Sequence, residues 1–130
     1  MALDLDAYLS LHANALSIRA RRAEVLANNL ANADTPGFKA RDIDFAAALK
    51  AATSAPASPP AAPNTNGTPP ADPLAPFIKY RLPSQPSLDG NTVEVDSERA
   101  AFMDNAVRYQ ASLTFLNSRI KSLMQALTGE

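Results

Sequence analysis

The groups in this chain that could do chemistry are few. There is one histidine, His12, and no cysteine. Carboxylates fall close together as Asp4 with Asp6, Asp42 with Asp44, and Glu94 with Asp96 and Glu98. Paired carboxylates can carry general acid–base work or bind a hard cation. Here they stand at helix starts or in alternating stretches, where capping and solubility account for them. Their spacing does not make an EF-hand loop. His12 has no second ligand at helical spacing, so it reads as a packing or surface residue. A nucleophile triad on this lone histidine is not credible, and the four glycines are too scattered for a phosphate loop. Without cysteine there is no disulfide and no thiolate metal site. No catalytic, cofactor-binding or metal-binding residue is assigned, and the chain does not read as an enzyme.

A protein with so little chemistry must work through its surfaces. Its 130 residues suit one domain. The hydrophobic share is 46%, but much of it is alanine and aromatics are only 6%, so a large private core is not expected. Net charge of −1 gives no electrostatic case for nucleic acid or an anionic membrane. Asp4 and Asp6 stand where a secretory signal would carry positive charge. No run approaches the roughly 18 apolar residues of a membrane span. The expectation is a soluble protein, cytoplasmic or exported without a cleaved signal.

Residues 4–32 have the pattern of a long helix. Leu5, Leu9, Leu16, Ala23 and Leu30, joined by Leu26, share one face, while Leu11, Ile18 and Val25 recur every seven residues nearly opposite. Two apolar faces require burial from two sides. One cover is a second helix of this chain; the other is expected to be a neighbouring molecule. Arg19, Arg21 and Arg22 point in different directions and read as solvated charges.

The helix must stop at Asn28-Asn29-Leu30-Ala31-Asn32-Ala33-Asp34-Thr35-Pro36-Gly37-Phe38. Asn28, Asn29 and Asn32 are poor interior residues, and asparagine tolerates the left-handed conformation of helix ends. Thr35 precedes a proline and is pushed out of the helical region. Pro36 and Gly37 suit the central positions of a type II turn, with Phe38 just beyond it.

A turn and short helix are expected over 33–52, with Asp44 as cap. Residues 53–76 hold eight prolines among Ala, Ser, Thr, Asn and Gly and read as a mobile spacer loop. Asn66-Gly67-Thr68 fits a glycosylation acceptor by chance. Residues 77–96 alternate on both sides of Asp89-Gly90, which predicts a small β-hairpin. A last helix is expected over 97–127, capped by Asp96 or Ser97 and stopped at Gly129. Phe102, Tyr109, Leu116 and Leu123 recur every seven residues, and Ala106, Leu113, Ile120 and Leu127 repeat the pattern four residues on. Such four–three spacing is a coiled-coil seam. The architecture expected is therefore all-α dominated. Two long terminal helices form an antiparallel coiled-coil hairpin, with the Pro/Ala-rich loop and the β-hairpin between them.

The stretch from Asn28 to Lys39 resembles the N-terminal signature of the flagellar rod and hook axial proteins. Ala40-Arg41-Asp42-Ile43-Asp44-Phe45 resembles its form in proximal-rod members. So do Leu88-Asp89-Gly90-Asn91-Thr92-Val93 with Asp96, Glu98, Asn105, Arg108-Tyr109-Gln110 and Leu116 near the other end. The resemblance implies a structural subunit of the basal-body proximal rod, which transmits torque through the periplasm. It implies passage through the flagellar type III export gate without a cleaved signal. Implied partners are further copies, other rod subunits, the adaptor FliE and the membrane ring. The signature turn would be Asn28, Asn29, Asn32, Thr35, Pro36, Gly37 and Phe38. Assembly helices would use Leu9, Leu11, Leu16, Ile18, Val25, Leu30, Phe102, Tyr109, Leu113, Leu116, Ile120 and Leu123. Related subunits often open an export signal with Phe in the first helix; Leu11 stands there in this chain, followed by Ala15 and Leu16. Two rivals are a helical-hairpin adaptor or secretion chaperone that binds a partner helix, and a small periplasmic enzyme.

Overall fold

A computed structural model describes residues 5–54 and 71–129. The first helix, α1, runs Leu5–Ala31 and the last, α3, Val95–Thr128, with Gly129 at φ 74° closing it in the left-handed conformation. Between them lie a strand β1 (Arg41–Ile43), a helix α2 (Phe45–Ser54), a 3-10 turn (Ala75–Phe77) and a strand β2 (Ile78–Tyr80). The carboxylate of Asp44 accepts from Ala47 N at 3.1 Å and so starts α2. Most of the expected spacer, including Asn66, lies outside the described residues.

The long helices lie side by side. Asn29 meets Glu98, the Arg19 carbonyl meets Asn105, and the ring of His12 stacks with Phe115 at 6.5 Å. Partners on α3 rise in number as those on α1 fall.

The second apolar face of α1 is covered from within the chain, which corrects the expectation of a neighbouring molecule there. Ile18, Ile43 and Ala48 form the buried cluster, with Val25, Phe45, Leu49, Leu74, Phe77 and Ile78 packed against it. Phe45 and Leu49 before the proline-rich stretch, and Leu74, Phe77 and Ile78 at its end, supply much of this cover, so the middle of the chain buries more apolar area than its composition suggests. Leu11 lies off this cluster, 44% exposed.

The expected hairpin is also replaced. Strand β2 pairs antiparallel with β1, Arg41 facing Tyr80 and Ile43 facing Ile78. Asp44 N to the Phe77 carbonyl and Arg81 N to the Ala40 carbonyl, each 2.9 Å, extend the ribbon at both ends. Residues 92–94 do not form a strand, because Asn91 and Thr92 are committed elsewhere. Thr92 N donates to the Phe38 carbonyl at 3.0 Å, and its hydroxyl accepts from Ala40 N at 2.7 Å. Helix α3 begins at Val95, earlier than expected, and neither Asp96 nor Ser97 caps it. Glu94 holds the cap position without a side-chain cap bond, since its carboxylate accepts from the backbone N and hydroxyl of Ser84.

The turn after α1 takes the expected form. Phe38 N donates to the Thr35 carbonyl at 3.2 Å, and Gly37 sits at φ 73°. The helix end depends on Asn91, whose amide donates to the carbonyls of Asn32, Ala33 and Thr35 at 2.8–3.0 Å. These carbonyls belong to the turn just past α1, and the one side chain ties all three together. Asn91→Ala should therefore lower stability by ~1–3 kcal/mol, read as a fall in the urea unfolding midpoint. Gly37→Ala should cost only ~1–2 kcal/mol, for left-handed strain alone, because an added Cβ there meets nothing within 4 Å.

Candidate functional site

Two surfaces stand out, a polar cluster inside the fold and an apolar stripe outside it. The cluster starts at Asn29 in the last turn of α1. In β1 and the residue on either side of it, Ala40, Asp42 and Asp44 turn their backbone towards β2, which leaves the backbone of Arg41 pointing the other way. The Asn29 amide satisfies both of its groups. Nδ2 donates to the Arg41 carbonyl at 2.6 Å, and Oδ1 accepts from Arg41 N at 3.1 Å. Asn29 Nδ2 also donates to Glu98 Oε2 of α3 at 3.0 Å. Asn29 and Glu98 are buried, at 1% and 0% exposed.

Glu98 continues the chain of charges. Arg81 Nη1 lies 3.1 Å from Glu98 Oε1, an ion pair without hydrogen-bond alignment. Arg81 Nη2 donates to Asp42 Oδ2 at 2.5 Å. Arg22 grips Asp42 with two parallel bonds, Nε to Oδ1 at 2.8 Å and Nη2 to Oδ2 at 2.9 Å. The order Arg22, Asp42, Arg81, Glu98 alternates in sign and takes one member each from α1, β1, the segment after β2, and α3. Bidentate arginine–carboxylate pairs fix geometry as well as charge. Burial works to raise the Asp42 pKa, but the bonds and charge of Arg22, the Ile43 N–H and Arg81 together hold it below the usual carboxylate range.

This cluster corrects two expectations. Glu98 is not merely a charge in the first turn of α3; it reaches across to α1 and Arg81. The arginines of α1 are not simply solvated, since Arg22 holds Asp42 and Arg21 donates to Asp72 at 2.8 and 3.0 Å. Arg19 lies 4.1 Å over the Phe45 ring.

The signature turn and the segment after Asp89 form one unit. Gly37 N donates to the Asp89 carbonyl at 2.9 Å, and Lys39 Nζ to the Gly90 carbonyl at 2.6 Å. Within the turn, Asn32 Nδ2 donates to the Asn28 carbonyl, and Thr35 Oγ1 to Asn32 Oδ1. Asn28, Pro36 and Gly37 remain exposed, and Phe38 is half-buried.

The apolar residues expected to assemble are divided. On α1, Ala15 and Ile18 are buried, while Leu9, Leu16, Val25 and Leu30 are half-buried. Leu11, Ala15 and Leu16 occupy the second and third turns of α1. On α3 the expected seam does not turn fully towards α1. Leu113, Leu116 and Leu123 are half-buried, but Phe102, Tyr109 and Ile120 are 36–39% exposed and Leu127 is 85% exposed. The residues that α3 buries are Glu98 and Asn105, which stand to one side of that seam. The stripe through Phe102, Tyr109, Ile120 and Leu127 is thus left open. With Ala20 and Ala23 of α1, Phe102, Ala106 and Tyr109 line a groove of about 320 Å³. Among the described residues no cluster of acids and histidine could hold a metal ion. No described helix is long and apolar enough to cross a membrane.

Residues 9–39 match the family model for the flagella basal body rod protein. The flagellar basal body rod protein FlgB of Escherichia coli is 50% identical over 95% of this chain and 94% of its own. That of Aeromonas hydrophila is 46% identical, over 100% of this chain and 99% of its own. That of Salmonella typhimurium is 45% identical over 96% of each. The chain belongs to the FlgB family of flagellar basal body rod proteins. In this FlgB-family chain the matched residues 9–39 run from α1 through the signature turn.

The charge ladder predicts its own tests. Arg81→Ala leaves the buried Glu98 carboxylate with Asn29 alone, a loss of ~3–5 kcal/mol, whereas Lys79→Ala on the exposed face should cost under about 1 kcal/mol. Because the folded Asp42 carboxyl is lowered from its ordinary 3.8, its contribution is complete above that value and is lost as pH falls below it. Asp42→Asn should flatten that acid limb in a plot of unfolding midpoint against pH.

Proposed function

We propose that this protein is a structural subunit of the flagellar basal body rod that assembles along the open stripe of α3. The rod role is that of its family. The stripe is the observation that carries the assembly reading: an isolated subunit exposes Phe102, Tyr109, Ile120 and Leu127 along about seven turns of one helix. Flanking residues of α1 supply the other wall of the groove. Packing of neighbours into it would complete the burial that the two long helices lack.

In the finer reading, the subunit sits in the proximal rod and the two terminal helices form an antiparallel coiled-coil hairpin within the drive shaft. The opposed order of the Asn29–Glu98, Arg19–Asn105 and His12–Phe115 contacts supports this pairing. The supercoil itself remains part of the proposal. Its neighbours are further copies and other rod subunits, with the adaptor FliE and the membrane ring at the base. The chain reaches the periplasm through the export gate, without a cleaved signal, and Leu11, Ala15 and Leu16 carry the export signal. The side chain of Leu11, exposed and outside the core cluster, is free for that task.

Export and assembly then separate by mutation. Ile120→Asp places a charge on an exposed position, so it should leave helicity and the unfolding midpoint near those of the parent. It should stop incorporation into basal bodies while periplasmic protein accumulates. Leu11→Ser should instead hold the protein in the cytoplasm. Fractionation and basal-body purification from cells lacking the endogenous copy read both. Equal loss of export in the two variants would refute the division, and normal motility with Ile120→Asp would remove the stripe from assembly. A cytoplasmic adaptor or chaperone would fail to copurify with basal bodies at all.

A further inference from the structure

The face that α3 turns to α1 contains a heptad row whose first four members are all polar, Glu98, Asn105, Ser112 and Arg119, before it ends at Ala126. Two of these, Glu98 and Asn105, are among the most completely buried side chains described. Each meets a different partner. Glu98 takes the Asn29 amide and faces Arg81, while Asn105 Nδ2 donates to the Arg19 carbonyl at 2.9 Å. The arrangement is not the most stabilising one available. Asn105 Oδ1 is buried with no hydrogen-bond partner, and Arg19 Nε is likewise buried without one. Buried polar atoms without partners are costly, and leucine at residue 105 would avoid the first of these losses.

We infer that Glu98 and Asn105 set the register of α3 on α1, at a cost in stability. The apolar seam beside them, Phe102, Tyr109, Leu116 and Leu123 with Ala106, Leu113, Ile120 and Leu127, repeats every seven residues and is nearly the same after a slip of one heptad. The polar row is not. Sliding α3 by seven residues in one direction places Asn105 where Glu98 was, and Arg81 then faces a neutral amide. Sliding it the other way places the Glu98 carboxylate against the Arg19 carbonyl, acceptor against acceptor. Both slips leave buried groups unmatched, and a single polar residue in a heptad seam is known to select register in this way. Register matters here because α3 carries the open stripe. A slip would move every apolar residue of that stripe by about 10 Å along α1. The inference concerns pairing within one chain and stands whether or not the stripe is the assembly surface.

Two substitutions remove the device without leaving its partners bare. With Glu98→Leu, Arg81 keeps Asp42 and Asn29 keeps the Arg41 backbone. With Asn105→Leu, the Arg19 carbonyl keeps its place within α1. The chain has no cysteine, so introduced thiols report register cleanly. His12→Cys is combined in turn with Phe115→Cys, Arg108→Cys or Ser122→Cys in the full chain, and a short bismaleimide crosslinker is applied. Residue 115 is the native partner, and residues 108 and 122 are its one-heptad neighbours. With Glu98 and Asn105 intact, crosslinking to 115 should exceed the other two by about tenfold or more. With both changed to Leu, the three yields should draw together while helical circular dichroism persists. Asn105→Leu alone should raise the urea unfolding midpoint and weaken the preference for 115. Unchanged preference in the double variant would overturn the inference, as would even yields in the parent. A lowered midpoint for Asn105→Leu would overturn it too, because Asn105 would then be an ordinary stabilising contact.

Discussion

The structure depends on a chain of charge that runs through its middle. Arg81 stands between Asp42 and Glu98, and each carboxylate has a further hold, Asp42 on Arg22 and Glu98 on Asn29. Desolvated charges are tolerated only when paired, so these groups must come together or not be buried at all. Four segments far apart in sequence are thereby tied to one point. Helix α1 is the common wall: one flank meets α3, another meets β1 and the apolar cluster around Ile18. The cluster supplies the non-directional part of the stability, and the charges supply the positions.

The same constraint explains why so much apolar surface is left outside. Polar side chains occupy the α1-facing row of α3, and the leucine-rich and aromatic seam is turned partly aside. Phe102, Tyr109 and Ile120 are then half in and half out, and Leu127 is almost fully out. A monomer that used the apolar seam for its own hairpin would have less to offer a neighbour. This one uses polar groups for internal pairing and leaves apolar ones at its surface.

The end of α1 shows how two short motifs become one piece of structure. Asn28 to Phe38 and Asp89 to Thr92 are separated by about 50 residues. The Asn91 amide spans three carbonyls at the helix end, Thr92 closes on Phe38 and Ala40, and Gly37 docks on Asp89. Helix α1 therefore ends, and α3 begins, on a shared set of bonds. An error at either motif would misplace both helices.

The sequence by itself determined the local elements. Heptad and helical periodicity marked both long helices to within a few residues, Pro36-Gly37 marked the turn, Asp44 marked the start of α2, and Gly129 marked the last stop. Each of these is set by neighbours in the chain, through φ preference, capping or side-chain period. Family membership was legible for a related reason, since its motifs are contiguous runs. What only the tertiary structure decided is which segments meet. Ile78 could alternate with any strand, and it was Thr92 bonding to Ala40 and Phe38 that left β1 to pair with β2. Glu98 read as a carboxylate at a helix start and Asn105 only as part of a family pattern, although their spacing of seven was visible. Their burial became apparent only once Asn29 and Arg81 were seen opposite them. Burial of a charge is a property of its partners, and those partners lie 17 to 86 residues away along the chain.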